Sequence, residues 1–236
     1  MKKTIALAFL LLPLLSQAVA SPRVIIERIE KTLAPGNFSA RYHFKNTRAD
    51  GTLTDYDIHI QARSSQLQHI EFIAPEREKG REVLRNADRM WTFVPSVGKV
   101  IKIEDRESFA GGDFSNADVL RVDWLNQYEP MLAKESDKQW IIDLTAKGKE
   151  ASYAKMRLWV KKETGQPVQQ EFFDSSNTTL KRLRYADVKK FGRISRPARL
   201  IMENLITTQT SELTIEELVL DQQIPEKRFV VDNLGK

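Results

Sequence analysis

From Pro22 onward, the apolar residues fall first at a helical spacing and then, almost without interruption, at a spacing of two. The stretch PRVIIERIEKTL places Val24, Ile25, Ile29 and Leu33 on one stripe, and Ala34-Pro35-Gly36 ends it, which predicts a helix over 22–33. The period then changes. FSARYHFK sets Phe38, Ala40, Tyr42 and Phe44 against Ser39, Arg41, His43 and Lys45. YDIHIQA sets Tyr56, Ile58, Ile60 and Ala62 against Asp57, His59 and Gln61, and LQHIEFIAP continues with Ile70 and Phe72. Short polar turns such as Arg48-Ala49-Asp50-Gly51 separate these runs, so consecutive strands should pair antiparallel.

The same reading extends through EVLRN, RMWTFVPS, KVIKIED, EPMLAKE, QWIIDLTAK, KMRLWVKK, VQQEFFD, LKRLRYADV, ARLIMENL and TSELTIEELVLDQ, with a final short helix expected in PEKRFVV. No linker, repeat or low-complexity tract divides 21–236, so one domain is expected. The fold class that follows is α+β, mainly β. A sheet of ten or more strands with one apolar face should curl into a barrel or half-barrel, and the few helices would cover part of its concave face. The inward phase offers Tyr42, Phe44, Tyr56, Ile58, Ile60, Phe72, Trp91, Phe93, Ile101, Ile103, Trp140 and Ile142 as lining for a hydrophobic cavity. Periodicity alone is equally compatible with a packed core, and a slip of one residue inverts a strand's faces.

One segment breaks the pattern. RESFAGGDFSNAD, residues 106–118, holds the chain's only adjacent glycines, Gly111 and Gly112, followed by Phe114. It lacks the lysine of a phosphate-binding loop and the glutamate of a calcium loop. Ser115 with Asp118 instead reads as a capped helix start, and the helix would run through NADVLRVDWL. Gly111, Gly112 and Phe114 would then form either a hinged flap over the open sheet or a plain connection.

Composition narrows the function. Lys2 and Lys3, an apolar run from Thr4 to Leu15, and Ala18-Val19-Ala20 read as a secretory signal peptide over 1–20, cleaved after Ala20, which predicts a chain that is exported and soluble once cleaved. Cleavage removes 2 of the 37 basic residues and none of the 32 acidic ones, leaving 35 − 32, a net charge of +3 spread along the chain. That is no nucleic-acid footprint. There are no cysteines, hence no disulfide and no thiol nucleophile. His43 and His59 occupy the polar phase of their strands and, with His69, form no metal-ligand motif. The paired acids Asp55 and Asp57, or Glu216 and Glu217, read as ordinary strand and turn decoration, and no serine-nucleophile motif is present. No catalytic residue, metal or cofactor is expected.

Lys79 to Val119 carries a denser signal: Lys79-Gly80, Leu84-Arg85, Met90-Trp91, Pro95, the basic strand Lys99 to Ile103, Arg106, Ser108-Phe109, and Gly112-Asp113-Phe114-Ser115 with Asp118. This pattern resembles the outer-membrane lipoprotein-sorting proteins, which belong with the periplasmic lipoprotein carrier and its outer-membrane receptor. It departs from that family in its double glycine and in Asn116-Ala117, where the family often has an aromatic. The resemblance implies an incomplete antiparallel barrel with helices in its mouth and a non-catalytic carrier of lipoprotein or lipid acyl chains between inner and outer membrane. It further implies transient membrane contact and an inner-membrane partner of the resistance-nodulation-division transporter type. The competing expectation is an accessory or sensor domain that uses the same scaffold to bind protein.

Overall fold

The computed structural model describes residues 21–236; the signal-peptide reading of 1–20 lies outside them. All thirteen strands join one antiparallel sheet. In chain order they are β1 (Phe38–Thr47), β2 (Leu53–Ser64), β3 (Leu67–Ala74), β4 (Glu82–Asn86), β5 (Arg89–Val94), β6 (Lys99–Ile103), β7 (Tyr128–Glu135), β8 (Gln139–Ala146), β9 (Lys155–Lys161), β10 (Pro167–Phe173), β11 (Thr179–Phe191), β12 (Ile194–Asn204) and β13 (Thr210–Leu220). Their order across the sheet is β6-β5-β4-β3-β2-β1-β13-β12-β11-β10-β9-β8-β7. Every neighbour but one is a sequence neighbour, and the exception, β1 beside β13, brings the two ends of the meander together.

The sheet is curved and not closed into a barrel, so β6 and β7 are free edges. Both are built against further pairing: β6 is short and largely exposed and carries Lys99 and Lys102, and β7 carries Pro130. Register shifts at Arg41/Tyr42, Asp57/Ile58 and Phe172/Phe173 supply local bends.

The helix α1 (Pro22–Leu33) forms where expected. Its buried stripe is Ile25, Ile26, Ile29 and Leu33, while Val24 is 40% exposed, so the predicted stripe was rotated by about one residue. The chain leaves edge β6 and reaches edge β7 by a single crossover over the concave face, residues 104–127, containing α2 (Asn116–Leu120) and α3 (Trp124–Gln127). The Ser115 cap is present: its hydroxyl accepts from the Asp118 N–H (3.2 Å), and the Asp118 carboxylate accepts from the Ser115 N–H (2.8 Å). The single predicted helix is however broken at Arg121, whose backbone is extended. Two side chains, Arg85 and Gln68, take the Leu120 carbonyl (2.7 and 3.0 Å), and Arg85 holds the Asp123 carboxylate, so tertiary partners replace the next helical turn.

The convex face carries a second, smaller core. The C-terminal tail, with 3-10 turns at Glu226–Phe229 and Val231–Asn233 in place of the expected helix, lays Ile224, Phe229 and Leu234 against Leu84, Trp91 and Phe93. Gly235 lies flat on Phe93; a Cβ there would stand 2.5 Å from the ring.

Candidate functional site

The inward phase of β1 reads from end to end of the concave face: Phe38, Ala40, Tyr42, Phe44, Asn46. These residues meet two different surroundings. Around Phe38 and Tyr42 there is a cavity of about 60 Å³. It is roofed by the end of α1 (Leu33, Ala34) and by Val119, Val122 and Trp124 of the crossover, and walled by Ile60, Phe172, Leu183, Leu200 and Leu213 from the sheet. Its polar lining is Gln68, Asp118, Gln170, Tyr185 and Arg196.

Most of these polar groups are spoken for. Tyr185 O–H donates to Gln170 Oε1 (2.6 Å), and the other end of that amide contacts Met156 Sδ (3.0 Å). Burial pushes the Tyr185 hydroxyl well above its ordinary range, so it stays neutral. Asp118 Oδ2 accepts from Tyr153 O–H and the Ser115 N–H, both at 2.8 Å, with Lys181 Nζ at 3.9 Å. On the roof, Glu30 Oε1 accepts from the Leu125 N–H (2.8 Å) and ties α1 to α3; burial, helped by the Asp123 charge, raises its pKa to about 7.

Around Phe44 the face is closed instead. Phe109 and Phe114 drop from the crossover onto Phe44, with ring centroids 5.4 and 5.3 Å away, and Phe109 stacks on Phe72 at 5.7 Å. All four rings are buried. A polar clasp holds this plug. The Asp113 N–H donates to Ser211 Oγ (2.8 Å), and its carboxylate accepts from Asn204 Nδ2 (2.9 Å) and Ser211 Oγ (3.3 Å). The Asp113 carbonyl accepts from Lys181 Nζ (2.5 Å), and Asn46 Nδ2 donates to the Ala110 carbonyl (3.1 Å). Gly112 is pressed against this clasp: a Cβ would come within 2.1 Å of Asn46 Oδ1 and 2.8 Å of Ser211 Oγ. Ala110 and Gly111 take left-handed backbone (φ +51 and +71), so the turn before the clasp needs a residue that tolerates it. A fully buried Arg85 forms the third attachment, bidentate to Asp123 at 3.1 and 3.0 Å and bound to the Leu120, Ala87 and Ser65 carbonyls.

The fold has close counterparts among solved structures. A LolA superfamily protein from Nitrosomonas europaea aligns with a TM-score of 0.82 at 24% identity, over 92% of this chain and 100% of its own. A DUF1329 family protein from Desulfovibrio piger aligns at 0.80 with 19% identity, over 89% of this chain and 95% of its own. A putative outer membrane lipoprotein-sorting protein domain from Vibrio parahaemolyticus aligns at 0.76 with 18% identity, over 89% and 97%. A family model described as an uncharacterized protein matches residues 64–236. The chain belongs to that family and has the lipoprotein-sorting fold. No curated protein sequence matches it.

Within the lipoprotein-sorting fold, the residues expected to line a cavity separate into groups. Only Tyr42 and Ile60 reach the cavity wall. Phe44, Tyr56, Ile58, Phe72 and Ile142 are buried in the main core, with Ile103 and Trp140 packed at its margin. Trp91 and Phe93 are corrections: they point to the convex face, because Met90 takes the inward phase of β5 and the C-terminal tail covers the other. Ile101 is a correction too, 46% exposed at the free edge β6. Gly111, Gly112 and Phe114 lie in the clasped plug. Among the lining residues not foreseen, Leu183, Tyr185, Leu200 and Leu213 sit on segments read as strands without an assigned face, and Arg196 precedes the segment ARLIMENL in a strand that begins earlier, at Ile194. His69 is 2% exposed, 2.7 Å from Glu82. His43 contacts Asp57 (2.8 Å) and His59 contacts Ser39 Oγ (2.7 Å).

Proposed function

We propose that this protein is a periplasmic carrier that shelters the acyl chains of a lipid or lipoprotein between the two membranes, after removal of residues 1–20. The observation that carries the reading is an apolar concave face roofed by a separate segment that encloses a cavity and is fastened by polar contacts. At about 60 Å³ the cavity is smaller than the roughly 150 Å³ at which an apolar site admits a benzene-sized molecule. Loading therefore requires Phe109 and Phe114 to withdraw. Lifting two phenylalanines costs about 3–6 kcal/mol, whereas burying about fifteen methylenes contributes roughly 12 kcal/mol, so an acyl chain can displace the plug. Charged side chains line the clasp, and the fold's free edges leave room for transient membrane contact. An inner-membrane transporter of the resistance-nodulation-division type is the proposed source of cargo.

Native mass spectrometry of the chain purified from a membrane-containing host tests this. The expected result is a mass increment of an acyl lipid, lost in Val119→Asp, which puts a charge into the cavity roof. A protein that is consistently empty and takes up no fluorescent fatty acid overturns the reading in favour of a protein-binding accessory domain.

A further inference from the structure

Arg196 is a buried cation without a counter-charge. It lies on β12 in the inward phase shared with Ala198, Leu200 and Met202, and is 4% exposed at the cavity wall. Among the described residues its one hydrogen bond runs from Nη1 to the Leu33 carbonyl (2.6 Å), at the end of α1. Among the described residues its buried Nε has no acceptor, and none of their carboxylates lies within salt-bridge distance. The other arginines buried in the concave core, Arg85 and Arg121, both have carboxylate partners. Asp118 lines the same cavity, but its charge is already held by Tyr153, the Ser115 N–H and Lys181.

Capping α1 explains a single N–H of this side chain. A guanidinium has five donors in a planar fork that matches a carboxylate or phosphate, and burying it unpaired is strongly unfavourable. We propose that Arg196 is the head-group site of the cavity: its free Nε edge receives the anionic oxygens of an amphiphile, a carboxylate or a phosphate monoester, while the acyl tail runs past Phe38, Tyr42, Leu200 and Leu213. This rests on the carrier reading and adds to it a ligand class, a singly tailed anionic lipid.

Binding of hexadecanoate, hexadecyl phosphate and hexadecanol to the full chain, measured by displacement of a fluorescent fatty acid, tests it. A charge-assisted bond predicts that at least one anionic probe binds roughly 10–100-fold tighter than the alcohol. Whichever of the two prevails identifies carboxylate or phosphate as the head. In Arg196→Met the ratio of anionic-probe to hexadecanol affinity should fall to about one, and Arg196→Lys should keep part of the preference. Equal binding of all three probes by the wild-type protein overturns the proposal without any variant, as does a preference that survives in Arg196→Met. If none of the three probes binds, the carrier reading itself falls.

Discussion

The two ends of the concave face are made from the same strands and are closed in different ways. At the Phe44 end, four phenylalanine rings interlock and Asp113 is gripped by β12 and β13, with the Asn46 amide of β1 on the same turn. At the Phe38 end, α1 and the broken helix of the crossover leave a cavity, with two tyrosines, two glutamines, Asp118 and the arginine Arg196 in its walls. The difference is one of filling. Phe109 and Phe114 of the crossover fill one end, while at the other the crossover presents Asp118, Val119, Val122 and Trp124 around an open cavity. A fold that only needed a core would pack both ends alike.

The comparison can be broken from its rigid side first. Phe114→Ala should cost about 3–5 kcal/mol in urea unfolding, since it removes a ring from the tightly packed end and leaves a cavity. It should also speed fatty-acid exchange. A similar loss, about 3–5 kcal/mol, is expected for Arg85→Met, which strands Asp123 without its partner. Gly112→Ala should cost roughly 1–3 kcal/mol by forcing Asn46 and Ser211 away from the clasp; calorimetry would show it as a lower Tm.

The roofed end responds to pH. Glu30 titrates near 7 when folded, against an ordinary value of 4.5. Below about pH 4.5 it is protonated in both states and carries no penalty. As the pH rises toward 7 the unfolded chain ionises first, so stability falls, and the penalty is complete above pH 7. Glu30→Gln, which keeps an acceptor for the Leu125 N–H, should flatten the stability profile in that window and stabilise the protein at alkaline pH. The smallest effect sharpens the contrast most: Val119→Leu adds a methylene into the cavity and should change stability by less than about 1 kcal/mol, where added bulk at Gly112 is not tolerated. A large loss in Val119→Leu would mean that the two ends are equally tight.

Much of this was legible without coordinates. The helix over 22–33, the strand-by-strand meander and the Ser115–Asp118 cap follow from local chemistry: helical spacing, alternation, and a hydroxyl placed three residues before an acid. The site was only partly legible. Tyr42 and Ile60 reach the cavity, whereas Trp91 and Phe93 fall on the other face, because alternation states that a strand has two faces and not which of them is concave. The glycine pair likewise announced an unusual backbone, but its meaning depends on Asn46 and Ser211, 66 and 99 residues away from Gly112.

The sequence by itself therefore determined the first helix, the strands and the antiparallel pairing of consecutive ones, since periodicity and short turns act between near neighbours. Tertiary structure alone decided three things: which face the C-terminal tail would cover, that the crossover would plug one end and roof the other, and that Arg196 would be buried facing the cavity. Each depends on contacts between segments far apart in the chain, where curvature and close approach decide the outcome and local spacing carries no information.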